Sequence, residues 1–439
     1  VARELGSLAE ATVINTRRPG RFLPDYFTAS KKMFPQSREA ALSQWRTFLP
    51  QAPAYGANRS LVVPGHPHVT RLSPAISRHL ITEEELLTSL KQSHPLARVE
   101  KLAQEILWRP YWKGWLEHHP AVWSNYRTQV ATLTPTHGAR LADITAGRSG
   151  IAIMDYFIRE LLESGWLHNH ARLWVAAWWV HHEQLPWELG AHFFLQHLLD
   201  ADPASNTLSW RWVAGRHTRG KAYLVRRSNL EACLDPSLLA QHSAGLERLA
   251  DEHAAAAPLP PEPDFPATAV DPLPSSPGPL DGRWGVWVHE EDLALETYPP
   301  LAGLRPQAVG SILSHSLRVE QNVSDQRWDH LRACLHDGAT RLATHFQCPA
   351  DVEASPDLAQ GLVDWAHARQ LQTVVTLQPW VGPLADQLPA VIKALQSRGI
   401  RLVRLRRPFD ALLLPHATKG FFHFWKSARE ALTLEHPVP

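Results

Sequence analysis

The chain has 439 residues, enough for two domains with separate cores, and its 44 Lys and Arg against 43 Asp and Glu leave it almost neutral. Three cysteines, Cys233, Cys334 and Cys348, without metal-ligand spacing argue against a disulfide framework or a Cys-based zinc site and fit a reducing cytoplasm. No apolar run reaches membrane-spanning length, no secretory leader is read, and neither a membrane partner nor a metal is expected.

The predicted elements, in chain order, begin after 35 residues that match nothing identifiable. Thr82 starts a helix with Glu85 three residues on, a capping box. Leu96 to Leu116 reads as helical, with Pro110 expected to kink or divide it. Asp155 to Leu162 continues a third helix that stops near Gly165. His170–His181 and Pro186–Leu199 give two more, the second with its Pro in the first turn. The adjacent pairs His118–His119 and His181–His182 read as helix-end and surface residues. No β-alternating run appears in this part, so it is mainly α.

The run from Ala257 to Gly282 is rich in Pro and carries neither period, which makes it a semi-extended linker. Beyond it the pattern changes. Trp284–Val288, Leu371–Leu377 and Ile400–Leu405 are short apolar runs separated by helical segments, among them Asp386–Arg398, which ends at Gly399. Strands alternating with helices indicate an α/β domain with a largely parallel sheet and no phosphate-binding glycine motif. The resulting division is 1–35 an N-terminal segment, 36–250 a helical domain, 251–282 the linker and 283–439 the α/β domain.

Charge and aromatic content are unevenly divided. Residues 1–250 hold 28 basic against 21 acidic residues, the remainder 16 against 22. A basic part beside an acidic one can draw a polyanion to one face. Twelve of the 18 Trp also fall in residues 1–250, either as a large aromatic core or as a cluster beside an electron acceptor.

On a helix, Glu105, Trp108 and Arg109 share a face, with Trp112 one turn on. Such a stripe is either a solvated Glu–Arg pair or a polar site that needs partners. More specific is the succession Gly165-Trp166-Leu167-His168-Asn169-His170-Ala171-Arg172, then Leu199-Asp200-Ala201-Asp202-Pro203-Ala204-Ser205-Asn206, then Trp210-Arg211-Trp212. In order and spacing it resembles the FAD-binding core of photolyases and cryptochromes. Val69-Thr70-Arg71-Leu72-Ser73-Pro74 is similar to that family's phosphate-holding segment, with Val69 in place of a Thr. Tyr55 and Arg59 match an upstream pair once a two-residue insertion is allowed. The resemblance covers roughly residues 36–230.

The resemblance implies a helical domain holding a U-shaped FAD. Tyr55 would contact the flavin, and the stretch Val69, Thr70, Arg71, Leu72 and Ser73 its phosphates. Arg109 would sit beside the diphosphate and Asn169 would line the adenine or flavin edge. Arg172 and Asp200 would form a buried ion pair against the flavin, with Asp202 near its pyrimidine edge and Asn206 facing N5. A neutral amide at N5 adds no charge there, and photolyases generally carry Asn at this place, which points to an enzyme that works with reduced FAD. Glu105 would hydrogen-bond a flipped pyrimidine dimer and Trp108 and Trp212 would wall it. Asn169 and Leu173 stand where (6-4) enzymes have His. Trp210 and Trp187 match the first two members of an electron relay. Its surface member aligns with Ile144, which cannot be oxidised, and Trp174, Trp178, Trp179 and Tyr156 are nearby substitutes or core residues. Arg59, His170 and Arg211 would hold DNA phosphates.

Trp284 to Leu295 and Asp410 to Trp425 resemble the opening and closing segments of the family's α/β antenna domain, which normally precedes the FAD domain. A circularly permuted order follows. Glu290 and neighbouring acids replace the basic pair, which argues against an antenna chromophore. The function implied is light-driven repair of cyclobutane pyrimidine dimers in DNA by electron transfer from reduced FAD, performed by a monomer. The rival is a blue-light photosensor of the cryptochrome kind that repairs nothing.

Overall fold

The computed structural model describes residues 34–134, 138–217, 222–249 and 255–433. The N-terminal segment therefore lies almost wholly outside the described residues. From Phe34 onward the chain forms one unit.

Helices build the first part. After α1 (Arg38–Phe48) and the single turn α2 (Ser73–Ser77), Thr82 caps α3 (Glu83–Ser93). Its hydroxyl accepts from the Glu85 N–H, and the Glu85 carboxylate accepts from the Thr82 N–H, so the expected capping box is complete. α4 (Leu96–His118) is undivided, although Pro110 lies inside it. The expected break does not occur because α4 buries residues on both sides of the proline, from Val99 to Leu116, and the rest of its ladder outweighs one missing bond. α5 (Pro120–Leu133), α6 (Ala139–Thr145) and α7 (Ala152–Ser164) follow, α7 ending on Gly165 in the left-handed region at φ 68°. α8 (Asn169–Ala177) runs into a wide π-type turn over Trp178–His182. α9 (Trp187–His197) and α10 (Pro203–Val213) complete the set around the fully buried Trp174, Trp178 and Trp179. Each such indole removes roughly 150–250 Å² from water, so these residues anchor the core.

Described residues 255–283 form neither helix nor strand, as expected of the Pro-rich run. They are nonetheless held at several points. Glu262 pairs with Arg211, the Pro260 carbonyl accepts from Arg216, the Thr268 N–H donates to the His118 carbonyl, and the Pro274 carbonyl accepts from the Arg406 N–H.

The second part is a five-stranded sheet, parallel in every pairing, in the order β3-β2-β1-β4-β5. Its strands are β1 (Trp284–Trp287), β2 (Val309–Ser314), β3 (Ala350–Ser355), β4 (Thr373–Leu377) and β5 (Arg401–Leu405). The helices α11 (Asp325–Phe346), α12 (Leu358–Ala368) and α13 (Pro383–Gln396) connect them, and α14 (Phe421–Ala431) ends the described chain. The order reverses between β1 and β4, which opens a crevice beyond their carboxyl ends. In this protein that crevice meets the helical part: Arg78 pairs with Glu290, and His79 with Asp292, both just after β1.

Candidate functional site

Two aspartates organise the site. Asp202 is the N-cap of α10, where its Oδ1 accepts from the Ser205 N–H at 2.7 Å. Its Oδ2 accepts from Arg109 Nη1 at 2.9 Å and lies 3.7 Å from Lys113 Nζ, both from α4. Burial alone would raise this carboxyl, but Arg109 and Lys113 outweigh it and hold it at about 2. Asp200 receives Arg172 Nη2 at 2.9 Å, while Arg172 Nε donates to the Leu167 carbonyl. The structure thus brings Arg172 onto a buried Asp200.

The charge network continues away from these aspartates. Arg109 lies 3.9 Å from Glu83, and Glu83 lies 3.0 Å from His79 Nε2. The other ring nitrogen, Nδ1, meets Asp292 at 2.9 Å. Because both ring nitrogens face carboxylates, both must carry a proton. Burial alone would lower His79, but Asp292 and Glu83 push it up to about 9. Asp292 is gripped in turn by Arg407 through two hydrogen bonds of 2.6 Å. A buried ionic chain therefore runs from Arg407 in the α/β part to Asp202 in the helical part.

Asn206 is buried one turn into α10. Its Nδ2 donates to the Ala191 carbonyl on α9 at 2.8 Å, which fixes the amide and leaves Oδ1 as an acceptor. Trp210 follows one turn later and lies against α9 at Gly190, where a Cβ would approach the indole to 2.3 Å. Gly190→Ala is therefore expected to displace Trp210 and to cost about 1–3 kcal/mol, measured by thermal unfolding.

Glu105, Trp108 and Arg109 do share one face of α4, and all are half-buried. Glu105 is 3.8 Å from Arg59 and raises the Tyr55 hydroxyl further, a shift begun by burial. Burial also raises the Glu105 carboxyl, with Arg59 opposing. Trp108 stacks on Phe421 of α14 with ring centroids 3.7 Å apart and planes 8° apart. One face of this indole is thus taken by the chain itself. Trp212 is half-buried and stacks on Tyr223 at 5.9 Å.

The stretch from Val69 to Ser73 leads into a helix of only five residues, and Arg71 adopts φ 52°. Leu72 is fully buried, while Val69, Thr70, Arg71 and Ser73 remain partly accessible. Ser73 Oγ accepts from Trp166 Nε1 at 3.2 Å. Asn169 opens α8 and is exposed.

Two residues expected to meet DNA are engaged elsewhere. Arg211 is buried, paired with Glu262 and flanked by the rings of Trp187 and Phe265 at 5.7 and 5.5 Å. Both nitrogens of His170 are within hydrogen-bonding distance of partners, Nδ1 of the Ser60 carbonyl and Nε2 of the Tyr223 hydroxyl, and burial lowers its basicity. Of the three, Arg59 stands next to Glu105, 3.8 Å from its carboxylate.

Sequence reading missed Glu83, Lys113, His79 and Phe421. Lys113 follows Arg109 by four residues on one helix face, a signal that was available. His79 and Glu83 pair locally at i,i+4, but their links to Asp292 and Arg109, and that of Phe421 to Trp108, arise through long-range packing.

Residues 102–236 match the FAD-binding domain of DNA photolyase. Over 156 residues the chain is 31% identical to a deoxyribodipyrimidine photo-lyase of Streptomyces griseus, covering 34% of this chain and 32% of that one. Over 199 residues it is 27% identical to that of Escherichia coli, covering 43% and 42%. Over these residues the chain is similar to DNA photolyases. Among solved structures, a bacterial class III photolyase from Agrobacterium tumefaciens is similar with a TM-score of 0.41 and 24% identity, covering 48% of this chain and 45% of that one. A Synechocystis cryptochrome gives 0.40 and 20%, covering 45% and 43%. The chain thus spans less than half the length of each of these photolyase and cryptochrome relatives. Among the described residues no helix is long and apolar enough to cross a membrane.

The donor set fits the flavin dinucleotide that this family domain is named for. Arg109 and Arg172 are cations already balanced by buried aspartates, and Asn206 offers one free acceptor. Thr70, Ser73, Asn169 and Tyr55 remain accessible around them.

Proposed function

We propose that this chain binds FAD through Tyr55, the Val69–Ser73 stretch, Arg109, Asn169, Arg172, Asp200, Asp202 and Asn206, and repairs cyclobutane pyrimidine dimers in DNA under blue light. FAD, when bound and reduced, supplies light-driven one-electron chemistry, and the residues supply position and electrostatics. The observation that carries the reading is the fixed amide of Asn206. With Nδ2 committed to the Ala191 carbonyl, Oδ1 can accept the N–H that reduced flavin carries at N5 and adds no charge there.

Glu105 supports the same reading. A half-buried carboxyl with its pKa raised by burial holds its proton more readily and can donate a hydrogen bond to a dimer carbonyl. Trp108, braced from behind by Phe421, would present its remaining face to a flipped base, with Trp212 as the second wall. Arg59 would meet a phosphate at the rim.

Residues 36–250 then act as the FAD domain, and 283–439 as an antenna-type domain in permuted order. The parallel sheet, and the seating of α14 against α4, support that assignment. Glu290 and Glu291 in place of a basic pair argue against an antenna chromophore.

The test is to load the protein with FAD, reduce it, add a thymine-dimer oligonucleotide, illuminate it and measure intact thymines by chromatography. Restored thymines, lost in Glu105→Ala, are the expected result. Light-induced change in the protein without restoration would overturn the repair reading in favour of a photosensor.

A further inference from the structure

The buried aromatic rings show a way out for an oxidising equivalent that the residue at position 144 cannot provide. Ile144 is fully buried and aliphatic. Trp187, at the start of α9, stacks on Tyr126 of α5, with ring centroids 5.8 Å apart and planes at 28°. Tyr126 in turn lies 5.2 Å from Trp123, one turn earlier on α5. Trp210 joins the series from the other side, because its ring lies against Gly190, one turn after Trp187.

The two ends differ chemically. The Tyr126 hydroxyl is buried without a hydrogen-bond partner, and burial raises its pKa above the usual phenol range. With no acceptor for its proton, Tyr126 cannot settle as a neutral radical and can only pass charge on. Trp123 is different. Its Nε1 donates to Asp386 Oδ2 at 2.9 Å, and that carboxylate is partly exposed and also held by Arg127 at 2.8 Å. An indole that has lost an electron becomes acidic at Nε1, and here a carboxylate stands ready to take the proton.

The competing branch lacks this property at its first ring and has it only at Trp178, whose Nε1 donates to Glu183 Oε1 at 3.1 Å. Trp179 lies 5.9 Å from Trp210, and its Nε1 donates to the Pro186 carbonyl, which cannot accept a proton.

We infer that Trp187, Tyr126 and Trp123 form the electron-supply route of this protein, with Trp123 as the terminal donor and Asp386 as its proton acceptor. The inference rests on the flavin reading above. Trp210 gives one electron to light-excited oxidised flavin. Trp187 refills Trp210, and Trp123, across the Tyr126 ring, refills Trp187. Trp123 is then one electron short, and its Nε1 proton passes to the Asp386 carboxylate. Trp123 is buried behind the partly exposed Asp386, so a soluble thiol at that carboxylate returns one electron to Trp123 over a short gap and is itself oxidised, while Asp386 gives the proton back.

The test uses the full chain loaded with oxidised FAD, illuminated with and without a thiol, and followed by transient absorption and electron paramagnetic resonance. Flavin content and thermal unfolding are measured in parallel. Trp123→Phe is expected to bind flavin normally, to lose most of the light-driven reduction, and to lose the long-lived tryptophan radical. Tyr126→Phe, which keeps the ring, should retain more reduction than Tyr126→Leu. Asp386→Asn should keep the radical but leave it in its protonated form, a difference in the visible spectrum that a packing role would not produce. Trp123→Phe behaving like the unsubstituted protein, or Trp179→Phe alone abolishing reduction, would overturn the route while leaving the flavin reading intact. Flavin that binds to the unsubstituted protein and is never reduced by light would sink both.

Discussion

Asp292→Asn is expected to cost about 3–5 kcal/mol of folding free energy, because it strands a buried Arg407 and a buried His79 together. The measurement is urea unfolding of the full chain. Asp292 is held well below the usual carboxylate range: burial would raise it, but Arg407 and His79 outweigh burial. An amide of the same shape keeps hydrogen-bonding capacity but not the charge, so the effect is electrostatic rather than steric. A companion experiment uses pH. His79 rises from its ordinary 6.5 to about 9 in the folded protein, among Glu83, Asp292, Asp410 and Arg407. A folded value above the unfolded one means that the protonated form stabilises the fold. That contribution is complete below about pH 6.5 and is lost as pH rises through about 9. The urea midpoint should therefore fall between those limits. His79→Asn, chosen because Asn tolerates the left-handed φ of 47°, should lower the midpoint at pH 6.5 and flatten the fall. An unchanged slope would show that His79 is not the titrating group.

The second large effect is expected at Asp202. Asp202→Ala removes the cap of α10, worth about 1 kcal/mol, and leaves Arg109 and Lys113 buried without their shared anion, worth about 3–5 kcal/mol. The recovered protein should be colourless after FAD loading and should unfold at lower denaturant. Asp202→Asn keeps an oxygen for the Ser205 N–H but loses the charge, so it should fall between the two in stability and still fail to retain flavin. Full flavin absorbance in Asp202→Ala would show that Arg109 needs no partner to serve the site. The two predictions separate cleanly: Asp292 tests the far end of the ionic chain by stability, and Asp202 the near end by colour.

Much of this site was legible before any coordinates. The succession of blocks around Asn169, Asp200, Asn206 and Trp210 carries the family pattern, and the helices around it follow from apolar spacing and from the caps at Thr82 and Gly165. Three of the five strands were read. β2 was missed because Gly310 and two serines interrupt its apolar run: Gly310 is needed where the Trp365 ring comes within 2.3 Å of a would-be Cβ, a demand set from another helix. β3 was missed because it is partly exposed and polar, with Asp351 engaged by Arg369. The fate of Arg211 was illegible for a related reason. Its partner, Glu262, lies 51 residues away in a segment without periodicity.

The same logic bears on the reversal point of the sheet. In open α/β sheets this is where a small molecule is customarily received. Here Arg78, His79 and Lys113 reach it from the helical part, so the cavity left there is walled by both halves of the protein. What such a junction demands is that both halves be present, since Arg78 and His79 of one meet Glu290 and Asp292 of the other.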